Sequence, residues 1–107
     1  MDLTQKKCIP CEAGTAPMDS ATVAEYAKNV PTWKVIDNKK LLREFKFKDF
    51  KESMRFVIKV AEIAESEGHH PDMCIFYNLV RLELSTHAIE GLSENDFILA
   101  AKIDPVV

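Results

Sequence analysis

No stretch of the 107-residue chain approaches the roughly 18 consecutive apolar residues that a membrane-spanning helix requires. The polar start MDLTQKK leads into no secretory hydrophobic run either. Those absences predict a soluble, cytoplasmic protein with no membrane partner. A basic block is also missing: 14 Lys and Arg stand against 17 Asp and Glu, for a net charge of −3, so no direct nucleic-acid partner is expected. Cysteine is scarce and odd in number, at three, which argues against a disulfide framework. Cys8 and Cys11 form CIPC, the start of a redox pair or half of a zinc site. No strand precedes that pair, no helix follows closely and no second CxxC completes it, so it reads as part of a loose, exposed tail. Cys74, inside an apolar run, reads as a small buried hydrophobe.

What the chain does have is 47% apolar residues, enough for the core of one domain but not of two. Residues 1–17 hold Pro10, Gly14 and Pro17 without apolar periodicity and are expected to form a flexible arm ahead of a domain at 18–107. Asp19 or Ser20 caps a predicted helix running to about Asn29, with Val23, Ala24 and Ala27 on one face and Pro31 ending it. A hairpin follows in TWKVIDNKKLLREFKFKDF, where polar DNKK separates two β-prone runs and Phe45 and Phe47 alternate with Glu44, Lys46 and Lys48. Asp49 and Glu52 form a capping-box pattern that opens the longest predicted helix, about 50–67. Its expected core stripe is Phe50, Met54, Val57, Ile58, Ala61 and Ala64, with Gly68 in the left-handed position past its end.

After Pro71, CIFYNLVRLELSTH predicts two strands with a turn near Tyr77 and Asn78. By strand parity His87 points with Arg81, Glu83 and Ser85, away from the apolar side. Ser93 and Asp96 form a second capping-box pattern, opening a last helix over about 94–102. Hairpin-paired strands need no crossover helix, so the predicted fold class is α+β: one four-stranded antiparallel sheet with three helices on one face, in the order α-β-β-α-β-β-α.

All three histidines fall within 19 residues, His69 and His70 in EGHHPDM and His87 in LSTHAIEGLS. His70 precedes a proline and is restricted to extended backbone, so the two neighbours project in different directions. They can therefore address different sides of one bound molecule at a helix end while His87 approaches from a strand end. Imidazole exchanges protons near neutral pH, which makes acid–base chemistry the pointed reading. Helix capping or filling of hydrogen bonds is the plain one. A metal site built from these imidazoles with Glu65, Asp72 or Cys74 lacks the i, i+3 or i, i+4 spacing that aims two ligands at one point. Trp33 suits either a core or a stacking surface for a flat ligand. Glu65 is either a solvated carboxylate or a group reaching into a pocket; Ser93 and Asp96 suit helix capping.

AESEGHHPDM followed by YNLVRLELSTHAIEGLSENDF closely resembles the signature of the pterin-4a-carbinolamine dehydratases, and with Trp33 and FKFKDF upstream the resemblance spans about residues 18–104. The resemblance implies a hydro-lyase that dehydrates 4a-hydroxytetrahydropterin to quinonoid dihydropterin, supporting tetrahydrobiopterin recycling beside an aromatic amino acid hydroxylase. It implies that His69 and His87 are acid/base groups and that His70 binds the pterin and assists proton transfer. It places Glu65, Trp33, Pro71, Ser85, Thr86 and Asp96 in or beside the pocket. It further implies that pterin is the substrate, that no cofactor or metal is needed, and that the chain is a homodimer or homotetramer. The alternative that it carries is a non-catalytic binding module acting as a dimerisation cofactor for a transcription factor. Gly68 stands where some members carry an acidic residue, and Asn95 where some carry arginine.

Overall fold

The computed structural model describes residues 2–10 and 14–107. Two hairpins supply the sheet. β1 (Lys34–Ile36) and β2 (Lys40–Lys46) are joined by Asp37 and Asn38, whose φ values of 50° and 60° give the mirror-image turn that matches strand twist. Short polar side chains tolerate that backbone, and the turn closes with Lys39 N–H donating to the Ile36 carbonyl. β3 (Asp72–Phe76) and β4 (Leu79–Leu84) meet through Tyr77 and Asn78. The hairpins pair in the order β1-β2-β4-β3, antiparallel throughout, with Leu41 opposite Leu84 and Phe45 opposite Val80.

The helices are α1 (Ser20–Ala27), α2 (Phe50–Glu67) and α3 (Glu94–Ile103), so the element order and fold class are as the sequence predicts. Asp19 caps α1 by accepting from Thr22 N–H, and Asp49 caps α2 by accepting from Glu52 N–H. Gly68 ends α2 at φ 67°, with its own N–H turned back to the Ala64 and Glu65 carbonyls. Leu41, Phe45, Val80, Leu82 and Leu84 of the sheet face Phe56 and Val60 of α2 and the almost fully buried α3. That burial of apolar surface is the main stabilising term.

Four expectations are corrected. The face of α2 on the sheet is Ser53, Phe56, Val60 and Ala64, while Phe50 and Ile58, assigned to the core stripe, are 49% and 56% exposed. The helix carries apolar residues along two stripes, and only one can meet the sheet. Cys74 is exposed because β3 is an edge strand and parity puts Cys74 with Arg81 on the uncovered face. Ala24 of α1 is exposed as well. Finally, residues 2–10 do not hang free as an exposed tail: Leu3 and Cys8 are buried, at 2% and 7% exposure. Cys11 lies outside the described residues.

Candidate active site

Three chain segments converge at one end of the sheet. After α2, Gly68 reverses the chain and His69 N–H donates back to the Ala64 carbonyl, so the left-handed turn fixes where His69 and His70 leave the helix. At the end of β4, Thr86 pairs with Gly91 in an isolated antiparallel bridge, and between them His87–Ile89 forms a 3-10 turn. His87 therefore opens a turn rather than ending a strand, but parity still holds, with Thr86 inward and His87 exposed. The third segment is the start of α3.

His69, His70 and His87 all line one cavity of about 370 Å³, together with Gly68, Ser85, Thr86 and Ala88. The volume is in the range of small-ligand pockets. Ser85, Thr86 and His87 also line an adjoining cavity of about 400 Å³ that runs toward Lys39, Lys40 and Glu90.

Asp96 is fully buried and supports the cavity from below. Its Oδ2 accepts from the Thr86 hydroxyl at 2.8 Å and from Ser93 N–H at 3.0 Å, the latter closing the α3 cap. Its Oδ1 lies 2.6 Å from His69 Nε2. A carboxylate has only acceptor oxygens, and the two donors on Oδ2 favour that ionised form, so the proton of the short contact from Oδ1 sits on Nε2. The free nitrogen of His69 is then Nδ1. His70 Nε2 makes the corresponding contact with Glu65 Oε1 at 2.6 Å, but both side chains are largely in solvent. That pair orients a ring more than it stabilises the fold.

Of the other residues expected at the site, Pro71 is buried beside His70 without lining the cavity. Trp33 is a core residue: it packs edge-on against Phe45 at 6.0 Å and donates Nε1–H to Asp104 Oδ1 at 2.7 Å. The structure brings the histidines, Glu65, Ser85, Thr86 and Asp96 together and leaves Trp33 elsewhere.

Ile9, Pro10 and Asn95 also line the histidine cavity. They enter through the packed N-terminal segment. Ile9 N–H donates to Asn95 Oδ1 at 3.0 Å, while Asn95 Nδ2 donates back to the Ile9 carbonyl. Cys8 N–H donates to Glu67 Oε1 at 2.9 Å, and Glu67 Oε2 pairs with Lys102 at 2.7 Å. Burial opposes ionisation of Glu67, but the hydrogen bonds from Lys102 and Cys8 prevail and hold its carboxyl below the usual range. Burial, reinforced by Glu67, pushes the Cys8 thiol up to about 12. Each of the first three residues of α3 thus grips a different part of the chain: Glu94 takes Lys6 and Tyr26, Asn95 takes Ile9, and Asp96 takes Thr86 and His69. Only a carboxamide at an exposed-looking helix start hinted at this in the sequence, and its partner lies 86 residues away.

The model of the family described as pterin 4 alpha carbinolamine dehydratase matches residues 16–106. The chain belongs to that family. A protein of Alkaliphilus metalliredigens is 48% identical over 96% of this chain and 94% of its own length. One from Halorhodospira halophila is 47% identical over 97% and 96%. Both bear the name "putative pterin-4-alpha-carbinolamine dehydratase". A solved structure from Brucella melitensis, described as a transcriptional coactivator/pterin dehydratase, superposes with a TM-score of 0.79 at 31% identity, covering 84% of this chain and 97% of that one. A pterin dehydratase-like protein described as a RuBisCO assembly factor shares the fold, with a TM-score of 0.60 at 21% identity. Among the described residues no group of three or more His, Cys, Asp or Glu is gathered as metal ligands. No described helix is long and apolar enough to cross a membrane.

Proposed function

We infer that the chain dehydrates 4a-hydroxytetrahydropterin by histidine acid–base catalysis and so supports recycling of the tetrahydropterin spent by an aromatic amino acid hydroxylase. The observation that carries this reading is the convergence of His69, His70 and His87 on one cavity, with His69 Nε2 engaged by Asp96 and Nδ1 left for substrate. In the reaction the C4a–O bond breaks and the hydroxyl leaves as water with a proton from one imidazolium. The neighbouring N5–H proton passes to a second imidazole as the C4a=N5 bond forms. Proton inventory balances, because one ring gives what the other takes, and no redox change occurs. His69 and His87, carried on different segments that both line the cavity, are assigned the two transfers, and His70 with Glu65 holds the pterin. Ser85 supplies a polar contact along the ring edge, with Thr86 held beside it by Asp96. Asp96 is a positioning residue.

The test is dehydration of freshly generated carbinolamine, followed optically in the presence of a chelator. The wild type is expected to turn over unaffected by chelation. His69→Ala and His87→Ala are each expected to lose about 10²-fold or more while keeping a native circular dichroism spectrum. Full rates in both variants would refute the assignment.

The same reading includes a homo-oligomer. Phe50, 49% exposed and stacked on Tyr77, and Ile58, 56% exposed, form an outward apolar stripe on α2. A second copy of the chain is the occupant that buries it. Ile58→Glu is expected to shift the light-scattering mass of the purified protein toward 12.1 kDa while leaving monomer folding intact. A binding role toward a transcription factor would instead appear as a complex that survives all three His→Ala changes.

A further inference from the structure

We propose that Ile9 and Pro10, clamped onto α3 by the Asn95 carboxamide, form a substrate-selecting wall of the histidine cavity. The proposal rests on the pterin reading of that cavity and adds to it a residue-level basis for choosing among pterins.

The lining of the cavity combines two chemistries. The histidines and Ser85 are polar, and Thr86 lies beside them with its hydroxyl engaged by Asp96. Ile9 and Pro10 add two side chains that neither donate nor accept hydrogen bonds. Ile9 is 69% exposed, although its flanking neighbour Cys8 is buried. Exposure of a large aliphatic group beside a pocket has a simple resolution when a ligand covers it.

Its position is not incidental to folding. The Asn95 side chain is 5% exposed as a residue and pairs with both backbone groups of Ile9, accepting from N–H and donating to C=O as an adjacent β-strand would. Cys8 N–H on Glu67 and Lys6 on Glu94 fix the same segment a few residues earlier. Three separate attachments thus hold one short stretch at the cavity mouth. Residues 9 and 10 lie ahead of the 16–106 span matched by the family model.

Polar and aliphatic lining together sort a pterin by its own asymmetry. The hydrogen-bonding edge of the pyrimidine ring faces Ser85 and the imidazoles, and the C6 substituent faces Ile9 and Pro10. Such a wall favours a short apolar substituent over a polyhydroxylated one, since hydroxyls set against aliphatic carbon lose water without gaining partners. Asn95 acts through Ile9 as a positioning residue.

The experiment uses the full chain and two carbinolamines, one bearing a 6-methyl group and one a 6-dihydroxypropyl group. Alongside turnover, equilibrium binding is measured for the corresponding 7,8-dihydropterins, which do not undergo dehydration. In wild type the 6-methyl compounds are expected to have the lower KM and Kd. Ile9→Gly is expected to raise both for the 6-methyl compounds by about tenfold, with kcat held within about twofold and the 6-dihydroxypropyl values little changed. Asn95→Ala is expected to reproduce the shift, and the double variant is expected to add nothing further, because both changes remove the same wall. Unchanged KM and Kd in Ile9→Gly, or full additivity in the double variant, would overturn the proposal. Selective dihydropterin binding that depends on Ile9, without turnover in wild type, would uphold the wall and defeat the dehydratase reading. Absence of both turnover and binding would defeat both.

Discussion

Asp96 accepts hydrogen bonds from a hydroxyl and a backbone N–H on one oxygen and engages an imidazole with the other. Asp96→Asn keeps the shape but places one amide group where a second acceptor is needed. With the amide nitrogen toward His69, the ring must accept at Nε2 and carry its proton on Nδ1, the wrong tautomer for taking a proton from substrate. Turnover is expected to fall by about 10²-fold or more, with a smaller loss in KM, as read by steady-state kinetics. The thiols differ in the same local way. Cys8 is buried with its pKa at about 12, whereas Cys74 lies exposed on an edge strand. In a Cys11→Ser background at pH 8, mass spectrometry after alkylation is expected to show Cys74 modified at least about tenfold faster than Cys8. The sequence alone put both in the opposite places. Cys74 sits in an apolar run whose alternate residues face outward, and Cys8 is buried by partners far along the chain.

At the level of elements, the local signals were reliable because local physics decides them. Asp19 and Asp49 occupy cap positions, Asp37–Asn38 makes the expected tight turn, and Gly68 takes the left-handed end of α2. Which stripe of α2 met the sheet was not local. The helix has two apolar stripes, and the choice depends on strands that the helix does not contain. Gly68 and Gly91 separate two reasons for glycine. At Gly68 φ is +67° and an added Cβ meets nothing within 4 Å, so Gly68→Ala is expected to cost only the backbone term, about 1 kcal/mol. At Gly91 an added Cβ would come within 2.6 Å of Pro17 Cβ, and the Thr86 bridge must shift to relieve it. Gly91→Ala is therefore expected to cost about 1–3 kcal/mol and to disturb the His87 turn. Thermal melts and carbinolamine turnover measured on both variants check this: Gly91→Ala loses activity along with stability, and Gly68→Ala loses less of each.

For the whole molecule, the attachment of residues 2–10 links the chain's beginning to its last helix. Ionised Glu67 and Glu94 carry that link. Hydrogen bonds from Tyr26 and Lys6 hold Glu94 below the usual carboxylate range, and Glu67 is also depressed. A depressed folded-state value means that the stabilisation is complete above the ordinary carboxylate pKa and disappears as pH falls through the lower folded value. Hydrogen-exchange protection of the Cys8 and Ile9 amides is therefore expected to hold steady from pH 7 to about 5 and to drop below about pH 4. The architecture and the histidine cluster were legible in the sequence because periodicity, caps and a distinctive motif carry them. The wall at Ile9 was not, since a segment without periodicity showed no sign of what would receive it. Where α3 begins, three successive side chains tie down Lys6, Ile9 and the His69 ring. A reporter peptide spliced into the exposed Asp37–Asn38 turn should leave the molecule working, while the same insert just ahead of Glu94 would part Ser93 from the helix it caps and unseat all three of those side chains together.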